Sequence, residues 1–257
     1  MSQLTVNLTK VEESKKSLML SLQKAGVGTL SPSEVETVMD VSGSFFDEHR
    51  DQITTALMIR LFPWAMTFDP DRKMGMTTFS SGHGSVHRCP DVTIDNLENY
   101  IHRHVFEKVP GWNGATEYHR VLESVLTDSG WINNEAQAEK KAGFFGRMLG
   151  QKDQPAREAS QKKRTLVLFI TDGDNSDKQH TLNALKASQQ RGDEVYFLFI
   201  GVRQNAGDRF HFLESIGDEF DNTGFYMVEN LRQFIQWDDE KLNSHLISDE
   251  MVRWFNR

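Results

Sequence analysis

Two runs of strand-forming residues each end in an aspartate, and that pairing limits the fold more than any other feature of the sequence. Val35, Thr37, Val38 and Met39 have the β-branched and apolar character of a buried strand, which Asp40 stops by placing a carboxylate where the core would continue. Thr165 to Ile170 is the most continuous apolar run in the chain, and it too meets a carboxylate, in Thr171-Asp172-Gly173-Asp174. Between the two lies Gly111-Trp112-Asn113-Gly114-Ala115-Thr116-Glu117, a glycine-marked loop that delivers Thr116 just ahead of a helical segment. In a parallel sheet the loops at the carboxyl ends of the strands converge on one crevice. Asp40, Ser42, Ser44, Thr116 and Asp172 are therefore expected to meet there.

Within Asp40-Val41-Ser42-Gly43-Ser44 two hydroxyls alternate around a glycine, so both can point the same way as the carboxylate. All three groups are hard oxygen donors of the kind that suit Mg²⁺, Mn²⁺ or Ca²⁺. The pentapeptide alone is equally consistent with capping the helix that follows, because Ser and Asp are favoured N-caps. The loops at Thr116 and Asp172 shift the balance toward a cation.

These motifs, in this order, resemble a von Willebrand factor A-type domain with a metal-ion-dependent adhesion site, over nearly the whole chain from Glu34 onward. Val38-Met39-Asp40-Val41-Ser42-Gly43-Ser44-Phe45, the Gly-Ala-Thr-Glu loop and Thr171-Asp172-Gly173 look most like the A-type domains of bacterial tellurium-resistance and stress-response proteins. The resemblance implies a divalent cation, Mg²⁺ first and Mn²⁺ or Ca²⁺ next. It would be bound directly by Ser42 and Ser44, by Thr116 when ligand is present, and mainly through waters by Asp40 and Asp172. An ion held by neutral hydroxyls keeps charge to spare, so the resemblance also implies a protein partner that presents Asp or Glu. Glu34 and Glu36, which make the first strand unusually polar, and Asp174, a further carboxylate near the site, depart from the pattern.

The rest of the chain alternates strand and helix. Helical pattern over Asp47 to Leu61, stopped by Pro63, leads to a strand from Met74 to Phe79, a Gly-rich turn over residues 80–85 and a short return strand from Val86 to Arg88. Asp95 to Phe106 reads as a helix burying Leu97, Ile101 and Val105, and Glu117 to Leu126 as the helix after the Thr116 loop. Asn175 to Arg191 is helical, Val195 to Ile200 and Phe225 to Val228 are strands, and the remainder from Leu231 is helical. This alternation predicts a doubly wound, Rossmann-like α/β domain: a mostly parallel sheet of about six strands, flanked by helices, with one short antiparallel edge strand.

Two segments stand apart from the A-type unit expected over residues 33–257. In residues 1–32, Leu4, Val6 and Leu8 suggest a short extended arm; Val11, Leu18, Leu22 and Ala25 then recur at helical spacing, up to Gly26 and Gly28. An amphipathic helix packed on the core is expected. From about 135 to 164, basic residues outnumber acidic ones and glycines interrupt any core period, as in a mobile surface insertion. Phe144, Phe145, Met148 and Leu149 inside it would either fold back onto the domain or dock on a partner or an acidic membrane surface.

Composition excludes several classes. A net charge of −8 argues against general nucleic-acid affinity. The absence of a long apolar span or of a secretory pattern, with a lone Cys89, fits a cytoplasmic protein. A zinc site at His83, His87 and Cys89 lacks a fourth ligand and closed spacing. The rival to a binding module is a Mg²⁺-dependent phosphoryl-transfer hydrolase with Asp40 as nucleophile. Enzymes of the haloacid-dehalogenase type want a second acid two positions on, where this chain has Ser42; a serine hydrolase would want Gly-x-Ser-x-Gly, which Val41 to Phe45 does not supply. A non-enzymatic, metal-dependent interaction module is the expectation.

Overall fold

The computed structural model describes residues 8–132, 161–203 and 210–257. Helix α1 (Leu8–Lys24) precedes strand β1 (Glu34–Asp40), a 3₁₀ turn at Gly43–Phe45, and helices α2 (Phe46–Arg50) and α3 (Ile53–Phe68). Strands β2 (Gly75–Phe79) and β3 (His87–Arg88) follow, then α4 (Tyr100–His104), α5 (His119–Asp128), β4 (Thr165–Thr171), α6 (Lys178–Arg191) and β5 (Val195–Val202). The chain closes with α7 (His211–Glu219), β6 (Thr223–Val228), α8 (Leu231–Phe234), α9 (Asp239–Leu246) and α10 (Asp249–Phe255).

The six strands form one sheet in the order β3-β2-β1-β4-β5-β6, all neighbours parallel except β2 and β3, as the sequence predicts. From β1 the chain steps to β2 on one side, and β4 lies on the other. The strand order therefore reverses between β1 and β4, which is where such sheets open a crevice for ligands.

The central strands read as unbroken apolar runs because both faces of the sheet are covered. Along β4, Leu166, Leu168 and Ile170 join a core with α1, α3, α4 and the C-terminal helices, while Val167 and Phe169 join a second core with α5, α6 and α7. β5 divides the same way, Tyr196, Leu198 and Ile200 against Val195, Phe197 and Phe199.

Local differences from expectation have physical causes. Pro63 does not end its helix: α3 runs through it to Phe68. An internal proline costs about 3 kcal/mol, but stopping there would leave Trp64, Met66 and Phe68 uncovered, each contributing about 1.5–3 kcal/mol when buried. The predicted helix over 47–61 is instead broken at Gln52, whose φ of 60° turns the chain between α2 and α3. Only Tyr100–His104 of the segment 95–106 is α-helical, since Asn99 adopts φ 55°, yet Leu97, Ile101 and Val105 are all buried as expected. Leu8 opens α1 rather than continuing a strand, and Val11, Leu18 and Leu22 face the core while Ala25 is exposed. The expected arm at Leu4 and Val6, and most of the basic insertion, including Phe144, Phe145, Met148 and Leu149, lie outside the described residues. At the end of that insertion Lys163 donates its backbone N–H to Ser129, and Arg164 stacks over Trp254 at 4.1 Å. No described helix is long and apolar enough to cross a membrane.

The polar start of β1 also has a partner. Glu36 is buried, accepts from the Thr77 hydroxyl at 2.7 Å and pairs with the Arg88 guanidinium of the edge strand. Burial pushes its carboxyl upward and Arg88 opposes that shift. Opposite it on β2, Gly75 leaves the space the carboxylate fills: a Cβ there would sit 1.8 Å from Glu36 Oε2. Gly75→Ala should cost about 1–3 kcal/mol of folding stability, and most of that loss should vanish in a Glu36→Ala background. Equal losses in both backgrounds, in a double-mutant cycle by denaturant unfolding, would refute the contact.

Candidate metal centre

The site is built from three loops at the carboxyl ends of β1 and β4. After Asp40 the chain leaves β1 extended, and the Ser42 backbone N–H donates to Asp40 Oδ1 at 2.8 Å. The loop 111–116 is stitched onto this turn. Asn113 N–H donates to the Val41 carbonyl at 2.9 Å and Gly43 N–H to the Gly114 carbonyl at 3.0 Å. Gly111, at φ 75°, is required there, since a Cβ would lie 2.4 Å from Ser80 Oγ.

Four of the five predicted residues form one hydrogen-bonded cluster. The hydroxyls of Ser44 and Ser42 donate to Asp172 Oδ1 at 2.9 and 3.4 Å and stand 3.3 Å apart. Asp40 Oδ2 accepts from the Thr171 hydroxyl at 2.6 Å. Thr116 is buried and held by its carbonyl, which accepts from Ser176 N–H at 3.0 Å. Its hydroxyl makes no hydrogen bond to the other four but borders Gly173, where a Cβ would stand 3.6 Å from Thr116 Oγ1. Asp174 turns away from the site, accepting from Lys178 Nζ at 2.9 Å.

Three supporting residues were invisible in the sequence pattern. His49 is buried beneath the site, with Nε2 2.8 Å from the Asp40 carbonyl and Nδ1 3.0 Å from the Thr54 hydroxyl. The carbonyl can only accept, so Nε2 carries the proton and Nδ1 accepts from Thr54. Tyr118 donates to the Gly173 carbonyl and packs its ring on Phe79 and Phe169, fixing the β4 loop from below. Glu48 is one turn beyond Ser44 and adds its negative charge to that of Asp40 in raising Asp172.

Electrostatically the cluster lacks a positive charge. Burial, opposed by hydrogen bonds from Thr171 and Ser42, pushes Asp40 up to about 6. Burial and then the neighbouring Asp40 push Asp172 up to about 7. Asp172 Oδ2 is buried with no hydrogen-bond partner. Two adjoining carboxylates, one with an orphaned oxygen, beside hydroxyls with spare lone pairs fit a hard divalent cation. Among the described residues no three His, Cys, Asp or Glu side chains gather to hold a metal, so the donor set rests on hydroxyls. His83, His87 and Cys89 form no such group either. Cys89 is buried, with its thiol pushed up to about 11.

These shifts have a sign that thermal unfolding can read. Both carboxyls are raised above their unfolded value of 3.8, so between about pH 4 and pH 7 the folded protein holds protons the unfolded chain has released. Their contribution to stability without metal therefore falls as pH rises through that window. His49, held down to about 4 by burial, acts oppositely and costs stability as pH falls from about 6.5 to 4. Asp172→Asn should raise the metal-free Tm at about pH 8, by about 2–4 °C per kcal/mol of relieved repulsion, and should flatten the carboxylate limb of the pH profile. An unchanged profile and Tm would mean that the two carboxylates do not oppose one another.

The family model vWA-TerF-like, the vWA found in the TerF C terminus, matches residues 32–257. Among solved structures, the fold is similar to proximal thread matrix protein 1 from the mussel byssus, in a form with a zinc-occupied MIDAS motif. That match has a TM-score of 0.50 and 17% identity, over 84% of this chain and 48% of the mussel one. The N-terminal domain of TFIIH p34 matches with TM-score 0.47 and 14% identity over 80% of this chain and 95% of that one. Manganese-loaded TRAP protein of Plasmodium vivax matches with TM-score 0.46 and 14% identity over 85% and 74%. The chain thus spans about half the length of the mussel protein. Among curated proteins, none matches it in sequence. The family match takes in all six strands and all three loops of the cluster, and the chain belongs to the vWA-TerF-like family of von Willebrand factor A-type domains.

Proposed function

We propose that this chain is a non-enzymatic, metal-dependent protein-interaction module whose site captures an acidic side chain of a partner. The observation that carries the reading is the buried, unpartnered Asp172 Oδ2 set against Asp40 and two serine hydroxyls. Asp40, Ser42, Ser44, Thr116 and Asp172 would hold a divalent cation, Mg²⁺ before Mn²⁺ or Ca²⁺. When bound, that ion supplies the positive charge the cluster lacks and a coordination position open to an external carboxylate. The chain's own groups do the rest. Asp40 and Asp172 keep the charge centred, the hydroxyls remain neutral, and Gly43, Ser44, Asn113 and Ala115 form an exposed rim on which a partner can seat.

Support comes also from what surrounds Asp40. Both of its oxygens are engaged, Oδ1 by Ser42 N–H and Oδ2 by Thr171, so it is placed to hold charge rather than to attack phosphorus. His49, neutral and bonded to a carbonyl, is not offered as a general base. A place in a tellurium-resistance or stress-response system, in the cytoplasm, is the setting that the family suggests.

Calorimetric titration with Mg²⁺, Mn²⁺ and Ca²⁺ tests the site. The variant S42A/S44A should abolish binding and, because both hydroxyls donate to the buried Asp172 Oδ1, should cost about 1–3 kcal/mol of folding stability while circular dichroism shows the fold retained. An immobilised acidic peptide should then retain the wild type with Mg²⁺ and release it with EDTA. Binding that survives both treatments, or phosphoester turnover lost in Asp40→Asn, would overturn the reading.

A further inference from the structure

Leu8, Met19 and Leu20 are the large apolar side chains left exposed among the described residues, at 55%, 43% and 58%, and all three lie on α1. Scattered exposed leucines need no explanation, but a concentration on one helix does. α1 already buries Val11, Leu18 and Leu22 against the core, so these residues make a second apolar side. Met19 and Leu20, with Lys16, Gln23, Val27 and Leu30, also line a groove of about 520 Å³ beside the helix. Glu12 and Lys16 make no ion pair among the described residues. The family model begins at residue 32, so α1 lies outside the shared domain.

We propose that α1 is a self-association helix, which pairs antiparallel with α1 of a second copy about a two-fold axis at the level of Ser14. Leu8, Glu12, Lys16 and Leu20 follow one another at intervals of four and so form one stripe along the helix. The stripe is self-complementary: Leu8 and Leu20 each stand six residues from Ser14, and Glu12 and Lys16 each stand two. An antiparallel pair therefore sets Leu8 against the second copy's Leu20 at both ends and Glu12 against its Lys16 in the middle, twice. In a parallel pair like charges would face one another. Ser14 itself points into the core, so the axis passes beside the helix, over the stripe. Such an interface is isologous and closes at two copies.

The strength follows from size. A helix of 17 residues is about 25 Å long, so the pair buries less than the ~800 Å² per partner of a standard interface. Exposed ion pairs add only about 0.2–1 kcal/mol each and act mainly on orientation. Association is expected in the micromolar range.

Sedimentation velocity of the full chain in EDTA, from about 1 to 200 µM, should show a monomer–dimer equilibrium. Leu20→Asp should weaken it at least about tenfold, since the change enters twice by symmetry. Glu12→Lys alone and Lys16→Glu alone should each favour monomer, and the exchanged variant E12K/K16E should dimerise again. All of these positions are at least partly exposed, and an unchanged Tm verifies that the fold survives. A wild type that stays monomeric across the range would overturn the proposal and leave the groove to another occupant. So would a dimer indifferent to Leu20→Asp, or failure of the exchanged pair to restore what each single reversal removed.

Discussion

Everything at the functional end of this domain answers to two aspartates brought side by side by the reversal of strand order between β1 and β4. Neither carboxylate is tolerable there as a bare charge. Asp40 is fully buried and Asp172 nearly so; burial raises the proton affinity of both, and the Asp40 charge raises that of Asp172 further. The surrounding structure is a set of responses: a backbone N–H and the Thr171 hydroxyl for Asp40, two serine hydroxyls for one oxygen of Asp172. Those responses stop one atom short. The oxygen that they leave unanswered, Asp172 Oδ2, is buried beside the serine hydroxyls without a hydrogen-bond partner.

The scaffold keeps the two aspartates together by covering both faces of the sheet. β1 and β4 pair in register from Glu34 with Thr165 to Met39 with Ile170, and their apolar side chains divide between the two cores, Val35, Met39, Leu166, Leu168 and Ile170 in one and Val38, Val167 and Phe169 in the other. Neither strand can slip by one residue without exchanging the two cores, so the separation of Asp40 and Asp172 is set by packing along the whole strand. His49 extends that control to the serine loop, because α2 is anchored to the Asp40 carbonyl through a buried, neutral imidazole.

Much of this was legible in the sequence because it depends on short-range signals. Apolar runs that end in carboxylates located the strand ends, and Gly111 and Gly114 marked the loop that brings in Thr116. What the sequence concealed depends on tertiary contact. Glu36 looked misplaced in a central strand until Arg88 and Thr77, forty and more positions away, were seen to surround it. Pro63 looked like a helix end, yet the core beyond it outweighs one lost backbone bond. His49 and Tyr118 carried no motif at all, since their roles consist of holding a carbonyl from beneath. Thr171 was in plain view beside Asp172, but the strand period hides which neighbour a hydroxyl will face.

The short edge strand has a consequence for how copies of this chain meet. Open sheet edges invite strands from other molecules, and long flat ones lead to aggregation. Here the edge beside β2 is only His87–Arg88, and Arg88 reaches inward to Glu36 and outward to Asp91. An incoming strand would find two residues of ladder and a guanidinium already committed. That edge of the sheet is closed to uncontrolled growth, and encounters between molecules are left to side chains, which can discriminate among partners as a backbone ladder cannot.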